Sequence, residues 1–264
     1  MRRLRRALVR WVARAKPLIP EAAWPTLLAA RSMAGDGPLI GMPAARRVLV
    51  LAAHPDDESL GCAGTVALLS DRGAKVSMLF ATDGEGTRGS PAPPADVAQA
   101  RRSEAEASAR LLGATAEFCG LPDGGLVDAG PALEAAVAGS VARAQPDLVF
   151  APWPGDGHPD HRAVAEALAR ATLPADCEVW GYETWTALPA NRLVDITSVI
   201  GTKESSIAVH QTAALAFDMT AGLGLSRWRS LHGLMGRGWA EGFLAVPAER
   251  YSALVAELRN ASAS

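Results

Sequence analysis

Two short strings carry most of the chemistry in this chain: His54-Pro55-Asp56-Asp57-Glu58 and His158-Pro159-Asp160-His161. Each follows a short apolar run, Val48 to Ala53 and Leu148 to Ala151, of the kind that forms a buried strand. Groups this far apart in sequence reach strand ends together most simply if they meet in space. Imidazole and carboxylate suit a borderline cation such as Zn²⁺. Three adjacent acids at a strand mouth repel one another unless a cation or a base compensates. A catalytic zinc takes three protein ligands and keeps one position open, and His54, Asp57 and His161 can supply the three. Asp56 then stands close enough to take a proton from the attacking water. His158 is left to stabilise or protonate at the opposite side of a substrate, with Asp160 able to hold the proton on its far nitrogen. Other allocations of these six residues stay open. The pattern points to a metal-assisted hydrolase.

The elements that must position these groups alternate. Arg47–Ala53, Lys75–Thr82, Ala116–Leu121, Leu148–Ala151 and Cys177–Tyr182 read as strands. Leu60–Ser70, Asp96–Leu112, Pro131–Ala144 and His161–Ala171 read as helices. Gly113 closes the second of these and a proline opens the third. Alternation of this kind implies crossover units, hence an α/β Rossmann-like three-layer sandwich with a mostly parallel sheet. Ligands in such sheets bind beyond the carboxyl ends of the strands, where strand order reverses. The first and fourth strands commonly flank that point, and they are the two that end in the histidine strings. The first strand lacks the Gly-x-Gly-x-x-Gly turn of a dinucleotide site, which argues against nucleotide binding.

At 264 residues, with 49% apolar and 20% charged side chains, the chain falls in the ordinary globular class. A net charge of −2 gives no reason to expect a nucleic-acid partner. Cys62, Cys119 and Cys177 show no ligand spacing and read as buried free thiols, which suits a reducing, cytoplasmic compartment. Residues 1–45 form a separate basic amphipathic segment and linker, and the main domain is expected over 46–264. The segment carries Arg2, Arg3, Arg5, Arg6, Arg10, Arg14 and Lys16, with Leu4, Leu8, Trp11 and Ala15 at helical spacing. It reads either as a helix packed on the domain or frayed from it, or as a weak peripheral contact with the inner membrane surface.

The two strings carry a specific resemblance. Ala53-His54-Pro55-Asp56-Asp57-Glu58 and His158-Pro159-Asp160-His161 resemble the signatures of the PIG-L/LmbE family of zinc-dependent N-acetylglucosaminyl deacetylases. Further likeness lies in Gly84–Gly89, in Arg101 with Glu104, in Leu121–Gly124, and in Tyr182-Glu183-x-Trp185-Thr186 followed by Val194–Thr197, the last two after the bacillithiol-type branch. Lys203 and His210 partly match a late pattern of the family. The resemblance covers about residues 46–245. It implies Zn²⁺ on His54, Asp57 and His161, with Asp56 as general base. It also implies His158 as the group that stabilises the oxyanion or acts as acid, and Asp160 as its orienting partner. The implied partner is a small acetylated amino sugar or glycoconjugate. Arg88 and Asp123 are candidates to contact it, and Tyr182, Trp185 and Trp153 are candidate pocket walls. His210 and His232 are not expected to be ligands.

The expected reaction removes an N-acetyl group, giving acetate and a free amine. An amidase of a related sugar or thiol conjugate is an alternative. So is a non-catalytic carbohydrate-binding protein of the same fold, although Asp56 and His158, whose loss would favour it, are both present. A phosphate-ester hydrolase would call for several convergent cations, and Arg88 is the one obvious candidate.

Overall fold

The computed structural model describes residues 39–262. The basic opening segment, with the membrane contact expected of it, lies outside the described residues. Among the described residues no helix is long and apolar enough to cross a membrane.

Eight described strands form one sheet: β1 (Leu39–Ile40), β2 (Arg47–Ala52), β3 (Lys75–Thr82), β4 (Ala114–Leu121), β5 (Leu148–Pro152), β6 (Glu178–Tyr182), β7 (Arg192–Asp195) and β8 (Ala240–Pro247). Their spatial order is β1-β7-β8-β6-β5-β2-β3-β4. Strands β4, β3, β2, β5 and β6 pair in parallel, and β8 runs antiparallel between β6 and β7. The sheet also takes in Leu39–Ile40, upstream of Arg46, through parallel pairing with β7. The sandwich with its mostly parallel sheet is as expected from the sequence.

Helices cover both faces. They are α1 (Asp57–Gly61), α2 (Ala63–Asp71), α3 (Pro94–Leu111), α4 (Gly130–Ala144), α5 (Pro159–Arg170), α6 (Ile200–Ala208), α7 (Ala221–Gly233) and α8 (Ala248–Ser262). Side chains alternate across a strand, so β2 feeds two cores. Leu49 and Leu51 pack with Leu133 and Val137 of α4, Val164 and Leu168 of α5, and Leu254 of α8. Val48 and Val50 pack on the other face with Val66 and Leu69 of α2 and Ala105 and Ala109 of α3. The helix expected over Leu60–Ser70 is two helices broken at Cys62, where φ is −142°. That break lets α1 begin at Asp57, directly under the end of β2.

The chain passes from β2 to β3 on one side and the neighbouring β5 lies on the other. The β2–β5 border is therefore the place where strand order reverses. Tyr182, whose hydroxyl donates to the Leu51 carbonyl at 2.8 Å, and Trp153 are both fully buried. The structure puts these two in the core, not on a pocket wall. A Cβ at Gly61 would run into the Tyr182 ring, so glycine is what lets α1 lie close against β6.

Candidate metal and catalytic site

The two histidine strings meet at the β2–β5 border. Pro159 sits in the first turn of α5, where a missing N–H costs nothing. His158 caps that helix and accepts from the Asp160 amide through Nδ1 at 3.2 Å. The imidazoles of His54, His158 and His161 gather with ring centroids 4.8–5.4 Å apart. Two overlapping groups have ligand atoms close enough to share a cation: His54 with His158 and His161, and His54 with Asp123 and Asp160.

Asp57 joins this cluster from below. Its Oδ2 accepts from the amides of Ala53 and His54, each at 2.9 Å. Its Oδ1 faces His161 Nε2 at 3.1 Å, and Oδ2 lies 3.7 Å from His54 Nδ1. His161 is fully buried, and its Nε2 has no aligned hydrogen-bond partner. Its Nδ1 is held by Asp156 Oδ1 at 3.2 Å and by the Thr184 hydroxyl at 2.9 Å. A carboxylate on Nδ1 keeps a proton there, so Nε2 is the nitrogen turned to Asp57 and the one that gives up its proton where a cation takes that place. A buried imidazole lone pair set against a carboxylate oxygen is a donor set for a divalent cation. Asp57 and His161 therefore offer a cation one oxygen and one nitrogen beside the two groups above, neither of which includes Asp57.

Asp56 stands apart from this cluster. Its φ is +140°, a conformation that side-chain-bearing residues rarely adopt. Two contacts hold it there. The Asp56 amide donates to Glu58 Oε2 at 3.1 Å, and Arg101 Nη2 donates to Asp56 Oδ2 at 2.8 Å. The same guanidinium also bonds the Pro55 carbonyl, and its Nη1 reaches the Thr87 hydroxyl at 2.6 Å. Gly84, at φ +67°, closes over Arg101, and a Cβ there would strike the guanidinium at 2.8 Å. Glu58 is fully buried and is held from behind by His210 Nε2 at 3.0 Å and by the hydroxyls of Ser59 and Ser108.

The electrostatics separate the groups. Burial pushes the Asp56 carboxyl up to about 6, against the Arg101 cation and with the help of the Asp57 charge. Burial acts the same way on Asp57, but the neighbouring His161 and His54 hold it well below the usual carboxylate range. His161 moves to about 9: burial opposes charge there, and Asp57 and Asp156 outweigh it. Burial would also lower His54, yet its hydrogen bonds to the carboxylates of Asp123, Asp160 and Asp57 raise it well above its ordinary value. His158 is lowered by burial and by the other two imidazoles.

Several sequence expectations need redrawing. The Asp160 carboxylate does not bond the His158 ring. Its Oδ2 lies 3.2 Å from His54 Nε2, and its two oxygens accept from the amides of Gly124 and Leu126. The start of α5 turns the Asp160 amide, not its carboxylate, toward His158. Asp123, considered for a sugar hydroxyl, has Oδ1 on His54 Nε2 at 3.1 Å and accepts from the Gly86 amide through Oδ2. Arg88 is exposed and bonds no described residue. Asp156, Thr184 and the Arg101–Asp56 pair were not singled out in the sequence. Asp156 lies two residues before His158, and its acidity so close to the second string was the one available signal.

Both histidine strings lie within the stretch that matches a known family. Residues 49–172 match the family model described as PIG-L, GlcNAc-PI de-N-acetylase. The chain is 33% identical over 166 residues to the 1D-myo-inositol 2-acetamido-2-deoxy-alpha-D-glucopyranoside deacetylase of Kineococcus radiotolerans, covering 49% of this chain and 45% of that protein. It thus spans about half the length of that relative. It is 30% identical to the 1D-myo-inositol 2-acetamido-2-deoxy-alpha-D-glucopyranoside deacetylase 2 of Saccharopolyspora erythraea, over 56% of this chain and 68% of that protein. The N,N'-diacetylchitobiose deacetylase of Pyrococcus horikoshii, solved with an inhibitor, superposes with a TM-score of 0.63 at 28% identity, over 78% of this chain and 86% of that one. Its β2–β5 crevice, its two histidine strings and these similarities together make the chain a member of the PIG-L/LmbE family.

Proposed function

We propose that the protein is a zinc-dependent N-deacetylase acting on an N-acetylglucosamine-type amino sugar or glycoconjugate. The observation that carries this reading is the division of labour at the β2–β5 border. One buried carboxylate, Asp57, is shared with His54 and His161, while its sequence neighbour Asp56 is held away from them by Arg101. Relatives named as deacetylases of acetamido sugars supply the substrate class.

His54, Asp57 and His161 would hold the ion, which when bound polarises the amide carbonyl and makes water a stronger nucleophile. Asp56 takes the proton from the attacking water. A carboxyl raised toward neutrality by burial is suited to that task. His158 accepts from the Asp160 amide at Nδ1, so its neutral ring carries the proton on Nε2. That N–H donates to the oxyanion as the tetrahedral centre forms. The C–N bond then breaks, the amine nitrogen takes up the proton that Asp56 removed from the water, and acetate and the free amine leave. Asp160 acts on His54: its carboxylate, with that of Asp123, fixes the orientation of the ring.

The test is acetate release from a panel of N-acetylated amino sugars and glycosides, with and without a chelator. The reading predicts acetate in step with free amine from at least one of them, abolished by chelation and restored by Zn²⁺. Chelator-insensitive release would remove the metal from the reaction. Release of a longer acid from an N-acyl analogue, with acetate from none of the panel, would make the enzyme an amidase of another kind.

A further inference from the structure

The segment after β6 is fixed to the site at two points. The Thr184 hydroxyl bonds His161 Nδ1 at 2.9 Å and Asp156 Oδ2 at 3.2 Å. The Thr186 hydroxyl accepts from the Gly157 amide at 2.9 Å, and its carbonyl accepts from Trp153 Nε1 at 3.1 Å. Trp185 lies between these two anchors, yet its side chain is 57% exposed. A tryptophan held this firmly and left this open contributes little to the core. Its ring meets Phe217 at 5.0 Å between centroids.

The two rings edge a cavity of about 120 Å³ lined by Leu60, Phe217, Ala221, Gly222 and Leu225, with Glu183 and Thr184 at one side. Leu60 belongs to α1, the helix that begins at Asp57. The walls are therefore continuous with the elements that carry the candidate metal ligands. The cavity presents no free charge: Glu183 is buried, both of its oxygens bond Arg229, and Oε1 also accepts from the Leu188 amide. Leu60, Phe217, Gly222 and Leu225 are partly exposed, so the cavity meets solvent.

We propose that this cavity is a subsite for an apolar substituent of the substrate, so that the protein acts on an amphipathic glycoconjugate in preference to a wholly polar sugar. The inference rests on the deacetylase reading above. An uncharged wall of leucine, phenylalanine and tryptophan one residue from Thr184 offers the hydroxyl groups of a sugar little to bond. An alkyl or aryl group attached to that sugar is stabilised there by leaving water. The group can arrive on the aglycone or on the acyl chain, and both place a hydrocarbon beside a reacting amide.

The full-length, zinc-loaded protein is assayed on three substrates: methyl N-acetylglucosaminide, its octyl glycoside, and methyl N-octanoylglucosaminide. Each methylene buried is worth roughly fourfold in an equilibrium, so a chain that fills the cavity should raise kcat/KM by on the order of tenfold or more over the methyl N-acetyl compound. Gain in the octyl glycoside places the aglycone in the cavity; gain in the N-octanoyl compound places the acyl chain there. Two variants locate the effect. Trp185→Ala removes a wall and Ala221→Phe fills the space; both should reduce the preference to about twofold or less. A second readout needs no turnover: octyl glucoside, below micellar concentration, should perturb tryptophan fluorescence saturably in the parent and not in Trp185→Ala. Equal kcat/KM across the three substrates, or a preference that survives both variants, overturns the subsite and leaves the deacetylase reading intact. Saturable, Trp185-dependent binding of octyl glucoside with no acyl release from any substrate supports the subsite and overturns the deacetylase reading.

Discussion

Replacing Arg101 by methionine should move the acid limb of the pH–rate profile upward while leaving the metal in place. Asp56 works as a base only as a carboxylate, so rate is lost as pH falls through its pKa. Burial pushes that pKa up to about 6, and the Asp57 charge adds to the effect; Arg101 is the main opposing group, followed by His210 and His54. The guanidinium is 2.8 Å from Asp56 Oδ2, and both residues are buried. Two unit charges 4 Å apart interact by about 4 kcal/mol at an effective dielectric near 20. One pKa unit corresponds to about 1.4 kcal/mol, and an aspartate beside an arginine is typically shifted by about one to three units. Losing the cation should therefore raise the limb by about one to three units. For a rise of about two units, the ionised fraction at neutral pH falls from roughly nine-tenths to roughly one-tenth. That is about a tenfold loss of kcat/KM, regained on the alkaline side. Arg101→Lys keeps the charge and should shift the limb less. The assay is acetate release as a function of pH, with zinc content and thermal unfolding measured on each variant. An unmoved limb in a folded, zinc-replete Arg101→Met protein would refute the claim that Arg101 sets the ionisation of the base. A loss uniform across pH would assign Arg101 to holding the Pro55–Asp56 turn instead.

Three further outcomes follow from the site. Asp56→Asn should keep the fold and bind zinc normally but lose about 10²- to 10⁴-fold in kcat, the usual cost of removing a general base; elemental analysis beside steady-state kinetics checks this. Asp156→Asn removes the carboxylate on His161 Nδ1 and should weaken zinc binding by about 10- to 100-fold, measured by competition with a chromogenic chelator. Asp156→Glu should restore part of that loss. His158→Ala should retain zinc and lower kcat more than it raises KM, because its bond strengthens as the oxyanion forms; loss of zinc in this variant would make His158 a ligand, as its place among the three imidazoles allows.

The parts of the fold that position the site were readable because they are buried on both faces. Val48–Ala53 and Leu148–Ala151 are short apolar runs, and a parallel strand covered by helices requires such runs. Their ends carry the histidine strings, so the crevice followed from pattern alone. Strand β8 was missed although Ala240–Pro247 is apolar in most positions. It carries Glu241 in its interior, and that charge makes sense only with its tertiary partners: Lys203 Nζ at 2.7 Å, and the amides of Gly64 and Thr65. The roles of Asp123 and Asp160 were missed for a related reason. Both are drawn onto His54 by chain folding that sequence spacing does not encode. Arg101, marked beside Glu104 by the likeness to the family, is buried, unlike Arg102 and Arg110 on the same helix. Its pairing with Asp56 depends on the approach of the Gly84 loop and the Pro55–Asp56 turn, which sequence spacing does not encode. The strained backbone of Asp56 likewise belongs to the assembled site, since Glu58 and Arg101 hold it from opposite ends.

The most direct test of the central claim is a zinc titration of the chelator-stripped protein with acetate release as the readout. Activity should rise linearly and level off at one zinc per chain, and Asp56→Asn should take up the same single equivalent without producing acetate. Full activity before any zinc is added, or an Asp56→Asn protein that turns over as fast as the parent at one equivalent, would contradict a reaction that depends on both the ion and this base.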